Sequence, residues 1–446
     1  MPLGATIRRG ASVFASALLI GVVWPPAIAA PTTRPNVVIL MTDDQRYDKI
    51  TDRFMPNVHR AFVSGRDKRF PDLTTTSFTE SFVPTPLCCP SRASVLTGEY
   101  SHTHGVWYNT GQFGGFAAFD DRHTMAVDFQ TAGYRTAMIG KYLNGYLPGR
   151  MTYVPPGWNT WFAVNTGKYF DYHARGNGGT LYYYGTDPSD YSTRVLRRRA
   201  ETFVDRSVSL GTPFLLYLAF TAPHRPATPD PRDVSRFAGL SLEDRYEHML
   251  EAAYGVDRAV QHLLGQLPAN TIVVYLSDNG MLWSERTGFD PNVELFGKEW
   301  PYDASIRIPL EIASLDGSWH PTARPDDIVL NVDLRKTLTR AAGVSPLTSS
   351  EGLNLGSNSY VARTEFVLEH YGISRPSYCG MRELGMMYVR YQIVAADGSV
   401  SYREELYDEP DEVHDISASD PSDLVRLRTR AMARCDPPPP GYSWSG

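Results

Sequence analysis

Cysteine is scarce in this chain, four in 446 residues, which excludes a disulfide-dense scaffold and leaves stability to an apolar core. Positive charge is not in excess either: 43 Lys and Arg face 49 Asp and Glu, a net charge of −6. That balance carries no field to gather nucleic acid or another polyanion. The compact basic run Arg197-Arg198-Arg199 is expected on the solvated face of a helix. Beyond residue 24 there is no apolar run long enough to cross a bilayer, so no membrane span is expected there. Internal repeats and long low-complexity linkers are also missing. What is there, 42% hydrophobic and 21% charged residues, is the composition of an ordinary globular protein, and the length allows one or two domains.

At the start, Arg8-Arg9, an apolar run from Ala11 to Trp24 and the small residues Ala27-Ile28-Ala29 read as a cleavable leader over residues 1–29. The mature chain is expected to be secreted or otherwise extracytoplasmic, with Sec and twin-arginine export both open.

Four apolar stretches then share one pattern. Asn36 to Met41 runs into Thr42-Asp43-Asp44-Gln45, and Arg135 to Gly140 into Lys141. Pro213 to Phe220 runs into Thr221-Ala222-Pro223-His224, and Asn270 to Leu276 into Ser277-Asp278-Asn279-Gly280. Each reads as a buried strand of a parallel sheet delivering polar groups past its carboxyl end, the edge where open α/β sheets bind ligands. Leu250, Ala253, Val256, Val260, Leu263 and Leu264 recur at helical spacing before the last strand, so strands and helices alternate and an α/β fold is expected. His248 and His262 on that helix are expected to be exposed or structural. Tyr142 to Tyr191, rich in Tyr, Trp, Gly and Pro, is expected to form loops and short hairpins over the active edge. Its aromatic rings either stack on a sugar or aryl group or simply pack the loops. Met386–Val394 and Ser401–Tyr407 flank an Asp397-Gly398 turn and read as an antiparallel pair. The expected organisation is a catalytic domain over residues 30–360 and a C-terminal subdomain over 361–446.

The stretch from Pro86 to Gly98 reads as a loop entering a short helix. Pro90 is expected at the first helical position and Gly98 at the exit. Cys88 then sits just ahead of the helix N-terminus, where an anion is favoured, and Arg92 can turn its donor fork toward that anion. Adjacent carboxylates ending a buried strand need a cation or donors to meet them. The oxygens of Asp43, Asp44, Asp278 and Asn279 suit Ca²⁺ or Mg²⁺ better than zinc. Cys379 and Cys435 either pair in an oxidising compartment or remain two buried thiols.

Cys88-x-Pro90-Ser91-Arg92 followed by Leu96-Thr97-Gly98 resembles the signature of the type I, formylglycine-dependent sulfatases, and the resemblance runs from about Pro35 to Asp415. It implies an alkaline-phosphatase-like fold: a central mixed, mostly parallel sheet flanked by helices, with a smaller C-terminal α+β subdomain. It implies that a formylglycine-generating enzyme oxidises Cys88 to the nucleophile while Cys89 stays a thiol. Asp43, Asp44, residue 88, Asp278 and Asn279 would hold a divalent cation, usually calcium. Arg92, Lys141, His224 and Lys298 would surround the sulfate and the leaving oxygen. Gly140-Lys141-Tyr142-Leu143-Asn144, Pro155-Pro156-Gly157-Trp158 and His102-Thr103-His104 look closer to the N-acetylglucosamine-6-sulfatases and heparan endosulfatases, which puts His104 near the substrate. The long basic insertion of the endosulfatases is missing, which argues against gripping a sulfated polymer along its length. Met281-Leu282-Trp283 stands where the family often has a His, a departure that bears on specificity. The expected function is hydrolysis of a small sulfate monoester, a sugar 6-sulfate or an aryl sulfate. The alternatives are a phosphonate or phosphodiester hydrolase of the same superfamily and a non-catalytic protein that binds sulfated glycans.

Overall fold

The computed structural model describes residues 34–445 apart from 147–150, 165–166, 241, 288–293 and 409–411, together with Met1 and Gly4; the leader read over residues 1–29 lies outside the described residues. Nine strands form the main sheet: β1 Asn36–Thr42, β2 Thr74–Phe78, β3 Arg135–Lys141, β4 Thr160–Val164, β5 Tyr172–Gly176, β6 Leu181–Tyr184, β7 Phe214–Ala219, β8 Thr271–Ser277 and β9 Leu310–Ser314. Their order across the sheet is β2-β9-β8-β1-β7-β3-β4-β5-β6. The five central strands, β8 to β4, pair in parallel, and the two outer strands on each side are antiparallel.

Apolar residues on both faces of the central strands explain why they lie in the middle. Along β1, Val37, Ile39 and Met41 enter one core while Val38 and Leu40 enter the other. The same alternation separates Leu215, Tyr217 and Ala219 from Phe214, Leu216 and Leu218 on β7. A strand buried on both sides reads as an unbroken apolar run because neither face meets water. Each such side chain contributes roughly 1.5–3 kcal/mol of transfer free energy. Helices Cys88–Thr97, Met125–Thr131 and Asp333–Ala341 lie on the first face. Helices Ser192–Ser209 and Asp244–Leu264 cover the second. His248 and His262 are exposed on the latter helix.

The segment from Tyr142 to Tyr191 departs from its expected form. Rather than lying wholly over the active edge, it supplies β4, β5 and β6 and widens the sheet. Tyr182 and Tyr184 pack on Phe162, and Arg199 lies over Phe162 and Tyr182. The basic run is therefore not wholly solvated: Arg197 pairs with Glu201, and Arg199 is tied to rings. The sheet edge offers unpaired backbone groups to a Tyr-rich segment that fits a half-buried pleat.

A second, antiparallel sheet is formed by Glu365–His370, Ser377–Glu383, Met386–Val394 and Val400–Tyr407, in that order. Phe366, Leu368, Met387 and Val389 pack against Phe82, Ile306 and Leu330 of the main body. On the other face Val367, Met381 and Leu406 meet Leu427 and Ala431 of helix Pro421–Arg434. Cys379 and Cys435 are joined as a disulfide between this sheet and the end of that helix.

Candidate active site

The parallel register sets the site. Thr42 pairs with Ser277, Met41 with Ala219 and Gly140 with Ala219, so the chain leaves β1, β3, β7 and β8 at one level. Asp43 and Asp44, Lys141, the Thr221–His224 turn, and Asp278 with Asn279 follow those ends side by side. Asp44 has φ +64°, a left-handed conformation that Asp tolerates better than most residues. Gly140 has φ +120°, and a Cβ there would stand 1.8 Å from the Ala219 carbonyl oxygen. Only glycine lets β3 approach β7 closely enough to deliver Lys141.

Cys88 comes from the first face. Its helix begins two residues earlier than expected: Leu87 is the N-cap, Cys88 the first helical residue and Pro90 the third. Pro is accommodated there because the first-turn N–H groups have no partner within a helix in any case. The Cys89 N–H is instead met by Asn109 Oδ1 at 2.9 Å, a cap twenty residues away that no local pattern announces. Gly98 closes the helix at φ +71°.

These elements bring together the residues expected at the site, His104 excepted. The Cys88 Sγ lies 3.7 Å from Asp43 Oδ1, 3.4 Å from Lys141 Nζ and 2.7 Å from Lys298 Nζ. Lys298 Nζ also donates to Asp44 Oδ1 at 2.5 Å, and Lys141 Nζ donates to Asp43 Oδ2. His224 Nε2 stands 3.7 Å from Asp44 Oδ2 while Nδ1 meets the Arg225 carbonyl. The His224 carbonyl accepts from Tyr169 Oη at 2.7 Å, so part of the Tyr142–Tyr191 segment does brace this edge.

Arg92 is oriented differently from its expected role. Nε donates to Asp278 Oδ2 at 2.8 Å, Nη1 to the Lys141 carbonyl at 2.7 Å, and Nη2 lies 3.4 Å from Asp43 Oδ2. It is 1% exposed. Nε and Nη1 are committed to the floor of the site, because two buried carboxylates demand a fixed countercharge there, while Nη2 makes no hydrogen bond. His104 is likewise turned away: Nε2 meets Ser94 Oγ at 3.1 Å and Nδ1 accepts from the Val106 N–H at 3.1 Å. Burial pushes its imidazole down to about 3, with nearby His102 adding to the shift, so it acts as a neutral brace behind the helix. His102 bonds Glu369 Oε2 at 2.7 Å and links the helix end to the second sheet.

Burial opposes ionisation of Asp43, but Lys141, His224 and Arg92 outweigh it and the carboxyl lies below its ordinary value. Asp44 is lowered in the same way, burial being outweighed by Lys298 and His224. Burial pushes the Cys88 thiol up to about 11, against the attraction of Lys141 and Lys298. Asp43, Asp44 and Asp278 each offer an oxygen within a common span of 4.8 Å. Asn279 Oδ1 is a buried acceptor with no partner, while its Nδ2 donates to Asp44 Oδ1 at 2.7 Å. An all-oxygen donor set with one unclaimed carbonyl fits a hard divalent cation.

The comparisons agree with this geometry. The family model described as Sulfatase matches residues 35–344. A Drosophila melanogaster protein, an extracellular sulfatase SULF-1 homolog, is 28% identical over 370 residues, covering 73% of this chain and 31% of that one. The human N-acetylglucosamine-6-sulfatase is 28% identical over 405 residues, 78% of this chain and 69% of that one. This chain spans less than half the length of the extracellular relatives it matches. Among solved structures, a protein in complex with its substrate D-glucosamine-2-N,6-O-disulfate superimposes with a TM-score of 0.71 at 20% identity, over 90% of this chain and 98% of that one. That last likeness concerns the fold, whereas the family match covers most of the chain and every element that builds the site. The chain belongs to the sulfatase family, whose members are sulfuric ester hydrolases.

Proposed function

We propose that this protein hydrolyses sulfate monoesters of small sugars or aryl alcohols outside the cytoplasm, with residue 88 as the nucleophile. The observation that carries the reading is the position of Cys88: first residue of a helix, ringed by two ammonium groups and the acidic cluster. The unmodified thiol is unsuited to the task, since a group pushed up to about 11 stays protonated at neutral pH and only a thiolate is a strong nucleophile. Converted to formylglycine by a maturation enzyme, residue 88 supplies a hydrated aldehyde, one hydroxyl to attack sulfur and a second to expel sulfate. A divalent cation, calcium or magnesium, held by Asp43, Asp44, Asp278, Asn279 and residue 88, supplies charge stabilisation for the sulfate oxygens.

The chain's own groups do the rest. Lys141 and Lys298 meet the charge that develops on the sulfate. His224, 27% exposed at its side chain, donates a proton to the departing alcohol, with Lys298 as its neighbour. Arg92 acts beneath them by fixing Asp43 and Asp278. We place this chemistry in residues 30–360, with residues 361–446 as a supporting subdomain. The leader pattern and the extracellular relatives support an extracytoplasmic location.

The test is sulfate release from N-acetylglucosamine-6-sulfate and 4-nitrophenyl sulfate, set beside turnover of an aryl phosphodiester. Preferred sulfate turnover that disappears in Cys88→Ala supports the reading. Preferred phosphodiester turnover moves the protein to the phosphonate and phosphodiester hydrolases.

A further inference from the structure

A small cleft of about 240 Å³ lies between helix Ser192–Ser209 and the β3–β6 side of the sheet. Its charged lining is Arg135, Arg199 and Arg206, and no Asp or Glu lines it. Among the described residues none of these three arginines forms an ion pair. Arg135 donates to Ser207 Oγ at 3.0 Å, and Arg199 to Tyr184 Oη at 3.1 Å. Glu201, on the same helix, is taken by Arg197. Burial and the repulsion of Arg206 together hold the Arg135 guanidinium below its ordinary value. Three guanidiniums with no carboxylate partner among the described residues share one cleft, and like charges raise one another's free energy unless an anion relieves them.

The floor of the cleft is aromatic. Phe162, Tyr182 and Phe203 line it, and Arg199 stands 4.6 Å and 4.5 Å from the first two ring centroids, with Arg135 5.3 Å from Phe203. Ring faces beside a guanidinium fork match a ligand that is itself a flat or ring-shaped body carrying an oxyanion. Arg199, Phe203 and Arg206 recur at helical spacing and point to the same side. The cleft is remote from the catalytic edge. Arg135 opens β3 and Lys141 closes it, which separates them by about 20 Å at the rise of a strand.

From this geometry we infer that the cleft is a second binding site for a sulfated sugar, with the sulfate on Arg135 and Arg206 and the sugar ring along the part-exposed edge of Tyr182. It would hold one sulfated unit of an oligosaccharide, a local contact in a cleft of about 240 Å³, while the catalytic edge acts elsewhere. The choice of a sulfated sugar rests on the sulfatase reading; the anion site itself does not.

The test is calorimetric titration of Cys88→Ala protein, with and without Arg135→Gln and Arg206→Gln, using a heparin-derived octasaccharide, N-acetylglucosamine-6-sulfate and sodium sulfate. Both arginines reach solvent, so thermal unfolding is expected to be unchanged, and Arg206→Gln alone serves as a second, more exposed variant. The expected result is an octasaccharide affinity about tenfold weaker in the double variant, the size of a partly screened charge-assisted contact. Monosaccharide binding at the catalytic edge is expected to stay the same. An octasaccharide affinity that changes less than twofold overturns the inference. Sodium sulfate binding to the parent as tightly as the octasaccharide, and lost in the double variant, overturns its sugar part and leaves a free-anion site. The titration needs no turnover. Arginine-dependent binding in a protein that releases no sulfate from any ester would refute the proposed function and leave this site standing.

Discussion

Replacing Arg92 by Met separates two roles for this residue. The side chain is 1% exposed and joins three groups: Asp278 at 2.8 Å, the Lys141 carbonyl at 2.7 Å and Asp43 at 3.4 Å. Methionine keeps much of the length and removes every donor. Asp278 and Asp43 are then left buried with less countercharge, a loss that costs about 3–5 kcal/mol when one partner of a buried pair is removed. Against a total stability of roughly 5–15 kcal/mol, the variant should fold but unfold at markedly lower urea. Calcium offers the stranded carboxylates a substitute charge, so it should stabilise the variant more than the parent. A ligand at a hundred times its Kd adds about 2.7 kcal/mol to any folded state that binds it. The assay is urea unfolding at neutral pH in chelator and in calcium, with activity measured beside it. A loss under about 1 kcal/mol in chelator, together with a large fall in kcat, would refute this reasoning and return Arg92 to direct contact with the sulfate.

Glu311, buried on the strand Leu310–Ser314, gives a pH prediction: burial pushes its carboxyl from 4.5 to about 8, and Oε2 has no partner. The folded chain therefore holds a proton that the unfolded chain releases, and stability should fall as pH rises from 4.5 to about 8, by up to about 1.4 kcal/mol per unit. Glu311→Gln should remove that slope in unfolding measured across this range, and an unchanged slope would contradict the assignment. His224→Ala should slow hydrolysis of a sugar 6-sulfate by about 10²-fold or more while affecting 4-nitrophenyl sulfate far less, because nitrophenolate leaves without a proton; equal losses on both would count against the acid role. Cys379→Ala should lower stability by about 2–4 kcal/mol, since the bridge closes a loop of 56 residues, and should leave kcat on aryl sulfate near that of the parent.

The parts of the fold legible in the sequence are those where one physical effect dominates. The strands through Val38, Met138, Leu216 and Val274 are apolar on both faces, so their type and their place in a parallel core follow from hydrophobicity alone. Between Tyr142 and Tyr191 the mix of glycine, tyrosine and short apolar pieces reads as loops and short hairpins; Tyr172–Gly176 and Leu181–Tyr184 do form a hairpin, but with Thr160–Val164 it extends the main sheet. Pairing with an existing sheet edge, a tertiary effect, decides their conformation. At the site, Asp43, Lys141, His224 and Asp278 could be found because each follows the carboxyl end of such a strand. The direction of Arg92 could not, since Lys141 and Asp278 lie 49 and 186 positions from it along the chain, and Asp43 acts on it at the same time. The resemblance of His102-Thr103-His104 puts His104 near the substrate; its two ring nitrogens are instead satisfied by Ser94 and Val106. Asn109 was missed because a side-chain cap from twenty residues away leaves no local pattern.

The most direct measurement is the mass of the peptide containing residue 88, taken from active protein made in its own host and read together with sulfate release. The account predicts an aldehyde at residue 88, in a fraction that tracks specific activity across preparations. Full multiple-turnover sulfate release from protein whose residue 88 is entirely thiol would contradict it.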